Sequence, residues 1–191
     1  HLSLNDVTGN NVFADLPSGE LSPVMRYAIG GIRHSMAESM LVLAPFLNSW
    51  RRFSSAIYSP ANNSWGIENR TVALRVPAGS AASRHFEHRL AGVDANPYLV
   101  GAVTLAGALE GITRQIDPGP PVEGSTYGAS ATREMPRSWL DSIDLCNDSP
   151  FMRAVLGDVL HKGFVAVKRS EYIKMTQEVT DAEWDLYGFI V

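Results

Sequence analysis

The chain has 191 residues, of which 45% are hydrophobic and 19% charged, and this composition is typical of a soluble globular domain with one sizeable core. Its net charge of -4 argues against binding to nucleic acid or to an anionic membrane, because both partners select basic surfaces. The single cysteine excludes an intramolecular disulfide, and no apolar run reaches the roughly 18 residues of a membrane span. We therefore expect one cytoplasmic domain without a nucleic-acid or membrane partner.

The predicted elements begin with a hairpin and a long helix. HLSL and NVFAD flank the turn-rich NDVTGN, which is typical of a β-hairpin. From Leu21 to about Phe46 the apolar spacing predicts a helix, with Ser22 as its N-cap and Pro23 at the first helical position. The following residues, 54–66, are rich in Ser, Asn and Pro and predict a loop.

Two strands are predicted next, and both carry charge on one face. In TVALRVP, residues 71–77, the alternation places the valines and the leucine inward and Arg75 on the other face. After a turn, SRHFEHRL is predicted to form a second strand, in which alternate residues share a face. One face of this strand would carry a row of polar and charged residues, His85, Glu87 and Arg89. Either a solvated edge strand or a binding site would explain this row.

Helices are predicted for much of the rest of the chain. Asn96 and Pro97 are typical of a helix start, and the residues that follow are apolar nearly all round, which predicts a buried helix. A loop rich in Pro and Gly comes next. Ser149-Pro150 predicts one further helix start, and the capping box from Thr180 to Glu183 predicts another.

Arginines are concentrated in one segment of this acidic chain. Residues 51 to 89 contain six arginines and two acids, Glu68 and Glu87. Guanidinium groups bind carboxylates and phosphates through a planar fork of donors, so the cluster indicates a site for small anions.

Several motifs in a fixed order resemble one known family. They are NSWRRF (48–53), ENRTVALRVP (68–77), RHFEHRL (84–90) and DANPYL (94–99), followed by an apolar helix ending in GALEGI. Together they resemble the C-terminal catalytic domain of the glutamine synthetase family, and HLSL is similar to its H-x-S nucleotide segment. The resemblance spans essentially the whole chain. It implies an α+β fold in which a curved antiparallel sheet has helices packed on its back.

The residues of these motifs are most similar to one branch of that family. SWG-ENRTVALRVP, EHRLAGVDANPYL and VAVKRSE resemble γ-glutamyl-polyamine synthetases more than the ammonia-using enzymes. Where the ammonia-using pattern has a glutamate that helps bind ammonium, this chain has Tyr58. The aromatic ring removes the charge that attracts ammonium and could line an amine pocket; alternatively, Tyr58 packs its own loop.

The resemblance also implies roles for individual residues. Glutamate would be bound by Arg52 and Arg89. The ATP phosphates and the transferring phosphoryl group would be contacted by Arg70 and Arg75. The nucleotide would be bound by His1 and Ser3, and Mg²⁺ or Mn²⁺ by Glu87. Arg70 would be the catalytic arginine. Each residue alone has a plainer explanation, and Glu87 could simply pair with Arg75 or Arg89. His85 stands where the family commonly has an arginine, and the residues around Tyr127 depart from the family's modification motif, so neither role is carried over.

The implied activity is an ATP-dependent ligation. Glutamate would be activated as γ-glutamyl phosphate, and an amine, a polyamine or similar, would then displace phosphate. The family's first metal ligands precede the start of this sequence, and its full-length members are homo-oligomers. We therefore expect residues 1–191 to be a C-terminal fragment, inactive alone, of a longer chain that has an N-terminal domain. The alternatives are a glutamine synthetase that uses ammonia and a non-catalytic structural relative.

Overall fold

The computed structural model describes residues 1–55, 59, 60, 62–126 and 135–190 of the chain. The helices are α1 (Pro23–Leu43), α2 (Leu47–Ser55), α3 (Pro97–Arg114), α4 (Trp139–Asp148), α5 (Pro150–Gln177) and α6 (Asp181–Tyr187). The strands are β1 (Trp65–Ile67), β2 (Leu74–Val76) and β3 (Glu87–His88), and one turn of 3₁₀ helix spans Ala81–Ser83. Within the described part of the chain, this combination of six helices with a small sheet confirms the α+β class.

Four predicted helix starts are confirmed, because in each a side chain satisfies backbone N–H groups at the helix end. Ser22 accepts from the Met25 amide, and Asn96 accepts from two amides at the start of α3. Ser149 caps α5, and Thr180 forms the predicted capping box with Glu183. Pro follows the cap of α1, α3 and α5, where its missing N–H removes no hydrogen bond.

Helices α1 and α3 approach each other through glycines. A Cβ atom on Gly31 of α1 would lie closer than 3.0 Å to backbone atoms of Gly107 and Gly111 of α3. Their close backbones form one wall of the core, in which Ile29, Ile32 and Met36 of α1 are buried. The opposite face of α3 is exposed at Leu105 and Leu109, so the prediction of a helix buried all round is wrong.

The sheet has the order β1-β2-β3, and only one of its two pairings is antiparallel. β2 pairs with β3 antiparallel, whereas β1 pairs with β2 parallel. An entirely antiparallel sheet, as the family resemblance implies, is therefore not observed. The prediction of a loop over residues 54–66 is wrong at Ser54 and Ser55, which lie in α2, and at Trp65 and Gly66, which lie in β1. The predicted strand over SRHFEHRL is reduced to the two residues of β3: its first residue, Ser83, ends the 3₁₀ turn, and Phe86 forms an isolated bridge with Leu2.

A short connection returns the chain from β1 to the start of β2. It comprises residues 68–73, although parallel strands are usually joined by a dozen residues or more. The Asn69 side chain accepts from the Thr71 amide at 2.9 Å and donates to the carbonyl oxygens of Val122 and Gly124. Thr126 also bonds to Thr71. The connection is thus held by residues about fifty positions later.

The predicted N-terminal hairpin is present in shortened form. Asn5 and Asn11 form an antiparallel bridge, and Leu2 forms another with Phe86 beside β3. The N-terminal segment therefore extends the sheet instead of standing apart from it. Among the described helices, none combines the length and apolar character needed to cross a membrane.

Cys146 of α4 is fully buried, and burial raises the pKa of its thiol to about 12, with a further contribution from Glu38. Because the thiolate is the reactive species, we expect a thiol reagent to leave the folded protein unlabelled and to react rapidly after unfolding in urea. Absorbance from a chromogenic disulfide reagent measures the rate. Rapid stoichiometric labelling under native conditions would contradict the buried position.

Candidate active site

One face of the sheet carries a cluster of charged groups centred on Arg75 and Glu87. The two residues are opposite each other in the β2-β3 register. The Arg75 guanidinium donates to both Glu87 carboxylate oxygens, at 3.1 and 3.2 Å, and both side chains are largely buried. Such a forked pair is geometrically specific and holds both side chains in one orientation.

Arg75 has a second carboxylate partner, Glu68, which directly follows β1. The distance from Arg75 Nη2 to Glu68 Oε1 is 3.2 Å, and the Ala78 amide also donates to Glu68. That backbone hydrogen bond, with the nearby arginine, lowers the pKa of Glu68. Glu68 has a φ of 51°, a backbone conformation that is uncommon outside glycine.

No site role is predicted for Glu68 from the sequence. The available signal was that Glu68 and Glu87 are the two acids in the arginine-rich segment, and both form ion pairs with Arg75.

Arg89 and His1 complete the cluster around Glu87. Arg89 Nε lies 3.9 Å from Glu87 Oε2, and its guanidinium donates to the Val72 carbonyl oxygen at 3.2 Å. His1 Nε2 lies 3.7 Å from Glu87 Oε1, and its ring stacks on His85. The structure therefore brings together four of the predicted site residues, and it confirms that the row of charges shares one face. Their assigned roles remain predictions.

The remaining predicted residues lie around this cluster. Arg70 is exposed beside a cavity of about 670 Å³ lined by residues 67–71 and 121–125, and its carbonyl oxygen accepts from Arg89. Ser3 is exposed and, by the Leu2–Phe86 bridge, lies on the strand face that carries His1. Tyr58 lies outside the described residues, as does Tyr127.

Arg52 of α2 approaches the end of the strand region from the side. It donates to the Leu90 carbonyl oxygen and, at 3.5 Å, to that of Ala91. Burial lowers the pKa of Arg52, and the nearby Asp94 carboxylate opposes the shift. Because these bonds go to backbone oxygens next to Arg89, Arg52 is held close to the charged face.

The described residues fit a divalent cation only in part. Among them, no group of three His, Cys, Asp or Glu side chains could hold a metal ion. Glu87 offers carboxylate oxygens, which Mg²⁺ prefers, but Arg75 already donates to both of them. Glu87 therefore fits as one contributor and the described chain does not form a whole site.

His88 points away from the charged face, between Glu87 and Arg89 in sequence. Its Nδ1 lies 3.2 Å from Thr104 Oγ1 of α3, and its buried Nε2 has no hydrogen-bond partner among the described residues. Burial lowers the pKa of His88 to about 4 from 6.5. The ring is therefore neutral near pH 7.

This depressed pKa predicts a loss of stability in weak acid. As the pH falls from about 6.5 to about 4, the unfolded chain binds a proton at His88 and the folded chain does not, so the free energy of unfolding decreases. We expect the urea midpoint of wild type to fall more steeply across this window than that of His88→Gln. If the urea midpoints of the two proteins fell equally with pH, the depressed pKa of His88 would be contradicted.

Comparison with known proteins identifies the fold family. The model of the glutamine synthetase catalytic domain matches residues 1–187. The chain belongs to this family. It is 36% identical over 186 residues to γ-glutamylputrescine synthetase PuuA of Escherichia coli, covering 96% of this chain and 38% of that protein. It is also 36% identical to γ-glutamylethanolamide synthetase GlnA4 of Streptomyces coelicolor, with 97% and 39% covered.

A solved structure supports the same assignment. The chain is similar to ligand-free GmaS with a TM-score of 0.82 and 28% identity, covering 96% of this chain and 42% of that one. The family and the branch indicated by the motifs are thus confirmed. The chain spans about two fifths of the length of these relatives.

Proposed function

We propose that this chain supplies the glutamate- and phosphate-binding arginines of an ATP-dependent ligase that forms γ-glutamyl amides. The observation that carries the proposal is the charged face of the sheet, on which Arg75, Glu87 and Arg89 are held together by hydrogen bonds and ion pairs. A purely structural role gives no reason to collect charged groups that lose hydration when buried. The alternative of a non-catalytic relative is therefore disfavoured.

The reaction would proceed in two steps. An oxygen of the glutamate γ-carboxylate attacks the terminal phosphorus of ATP, forming γ-glutamyl phosphate and releasing ADP. The amine nitrogen then attacks the acyl carbon, the C–O bond to phosphate breaks, and the nitrogen loses a proton. The protein must hold two anions next to each other, and fixed guanidinium groups oppose their repulsion.

The division of the arginines between the two anions follows what the family resemblance implies. Arg70 is exposed beside the cavity of about 670 Å³, and we assign it and Arg75 to the ATP phosphates. Arg89 and Arg52 lie toward the end of the strand region and are assigned to the carboxylates of glutamate. His1 and Ser3, on the adjacent strand segment, would contact the nucleotide.

A divalent cation belongs to the proposal as a cofactor. Mg²⁺ or Mn²⁺ would neutralise charge on the transferring phosphoryl group, and Glu87 would supply one of its oxygen ligands. Further ligands would come from residues other than those that the structure describes, in keeping with the proposal that the chain is the C-terminal part of a longer, homo-oligomeric protein. We therefore expect the 191 residues alone to show no appreciable ligase activity.

The second substrate is proposed to be an organic amine. The names of PuuA and GlnA4 refer to amides of putrescine and of ethanolamine, and both relatives are 36% identical to this chain. A glutamine synthetase using ammonia is the alternative.

The test is an assay of the complete protein that contains this chain, with ATP, Mg²⁺ and glutamate and with ammonium, putrescine or ethanolamine in turn. Released phosphate and the mass of the γ-glutamyl product are measured. We expect turnover with an organic amine; turnover with ammonium alone would favour the alternative, and no turnover with any amine would overturn the proposal.

A further inference from the structure

The strand that presents Glu87 and Arg89 has little backbone support. β3 consists of two residues and forms an edge of the three-stranded sheet. Next to it, the Arg89 amide donates to the Ala73 carbonyl oxygen at 2.9 Å, and Leu2 and Phe86 exchange a pair of bonds. Such a short ladder leaves the position of a strand weakly determined unless side chains fix it.

His88 provides a side-chain link on the opposite face of this strand. Its Nδ1 lies 3.2 Å from Thr104 Oγ1, and Thr104 is buried in the wall of α3 that faces the core. α3 is itself well fixed, because Asn96 caps its N-terminus and Gly107 and Gly111 pack directly against the backbone of α1. The link therefore joins a strand with few backbone hydrogen bonds to a firmly packed helix.

Packing alone does not explain a histidine at this position. Its Nε2 is buried without a partner among the described residues, and a buried unpaired polar atom is unfavourable. An aliphatic side chain would fill similar space without that penalty. A hydrogen bond is directional, however, whereas an aliphatic contact is not. The histidine can therefore fix the position of β3 relative to α3.

We propose that the His88–Thr104 hydrogen bond is a positioning contact that fixes β3 on α3 and so places Arg89 for binding of glutamate and Glu87 as the proposed ligand of a divalent cation. This inference rests on the proposed function for its consequence in catalysis. The anchoring itself is a property of the fold. His88 and Thr104 do not face the charged groups, so they would act only through the strand.

The test uses substitutions in the complete protein. Thr104→Val removes the hydroxyl at constant shape, Thr104→Ser keeps it, and His88→Leu removes the imidazole. The matched control is Ser142→Ala, which removes another buried hydroxyl, one that donates to the Trp139 carbonyl oxygen within α4. Two quantities are measured: amide hydrogen exchange at Phe86 and Arg89, relative to amides of α1, and kcat/KM for glutamate.

We expect Thr104→Val and His88→Leu to accelerate exchange at Phe86 and Arg89 relative to α1, and to lower kcat/KM for glutamate about tenfold or more. Thr104→Ser should retain wild-type behaviour, and Ser142→Ala should change neither quantity selectively. Unchanged relative exchange in both loss variants would overturn the anchoring. Faster exchange with wild-type kcat/KM would overturn the positioning role.

The two proposals fail in different ways. An inactive wild-type protein would refute the proposed function, whereas the exchange measurement would still decide whether the hydrogen bond anchors β3. An active wild type with insensitive Thr104→Val and His88→Leu variants would refute only the positioning contact.

Discussion

Gly31→Ala is expected to destabilise the protein by about 3 kcal/mol or more, a large part of the stability of a domain this size. The new methyl group would lie closer than 3.0 Å to backbone atoms of Gly107 and Gly111. Backbone cannot turn aside as a flexible side chain can, so α1 and α3 would have to separate. Urea unfolding followed by circular dichroism measures the change.

The control for this prediction is Gly101→Ala on α3. A Cβ atom at Gly101 meets nothing within 4 Å, so the change should stabilise the helix by about 0.5–1 kcal/mol through the lower backbone entropy of alanine. Wild-type stability in Gly31→Ala would show that the two helices are farther apart than described.

Arg75→Ala is expected to lower kcat of the complete protein by about 100-fold or more, a loss typical for removal of a group that stabilises transition-state charge. Two effects combine. The guanidinium proposed to contact phosphate is lost, and Glu87 loses the partner that donates to both of its oxygens. Steady-state release of phosphate with saturating glutamate and amine measures the change.

Two further variants make this prediction specific. Arg75→Lys keeps the charge but cannot bridge Glu87 and Glu68 with a planar fork, so its activity should fall between wild type and Arg75→Ala. Arg153→Ala removes an exposed arginine of α5, whose Nε lies 3.8 Å from Asp158, and should leave activity unchanged. Wild-type kcat in Arg75→Ala would remove this residue from the site.

Local signals explain what the sequence predicts well. The caps Ser22, Asn96, Ser149 and Thr180 act within three residues of themselves, and each is observed in its role. Alternation along a strand is equally local, which is why the charges at Glu87 and Arg89 do share a face. The family resemblance supplies the fold class because it uses the order of several motifs together.

Features that depend on distant residues are not predicted. The parallel β1-β2 pair requires a return of the chain within residues 68–73, and that return depends on Val122 and Gly124. The exposed side of α3 is apolar in sequence, so periodicity does not reveal which stripe faces α1. Glu68 reaches the cluster with a positive φ, and no pattern of residue types in the sequence predicts this backbone conformation.

The return connection between β1 and β2 also bears on the order in which the site forms during synthesis. A ribosome makes Arg70 long before Gly124 and Thr126, yet the bonds that hold its loop come from those residues. The connection of residues 68–73 therefore lacks its final hydrogen bonds until some fifty further residues, including α3, have been synthesised. The proposed anion-binding surface is consequently completed late, only after α3 has been synthesised.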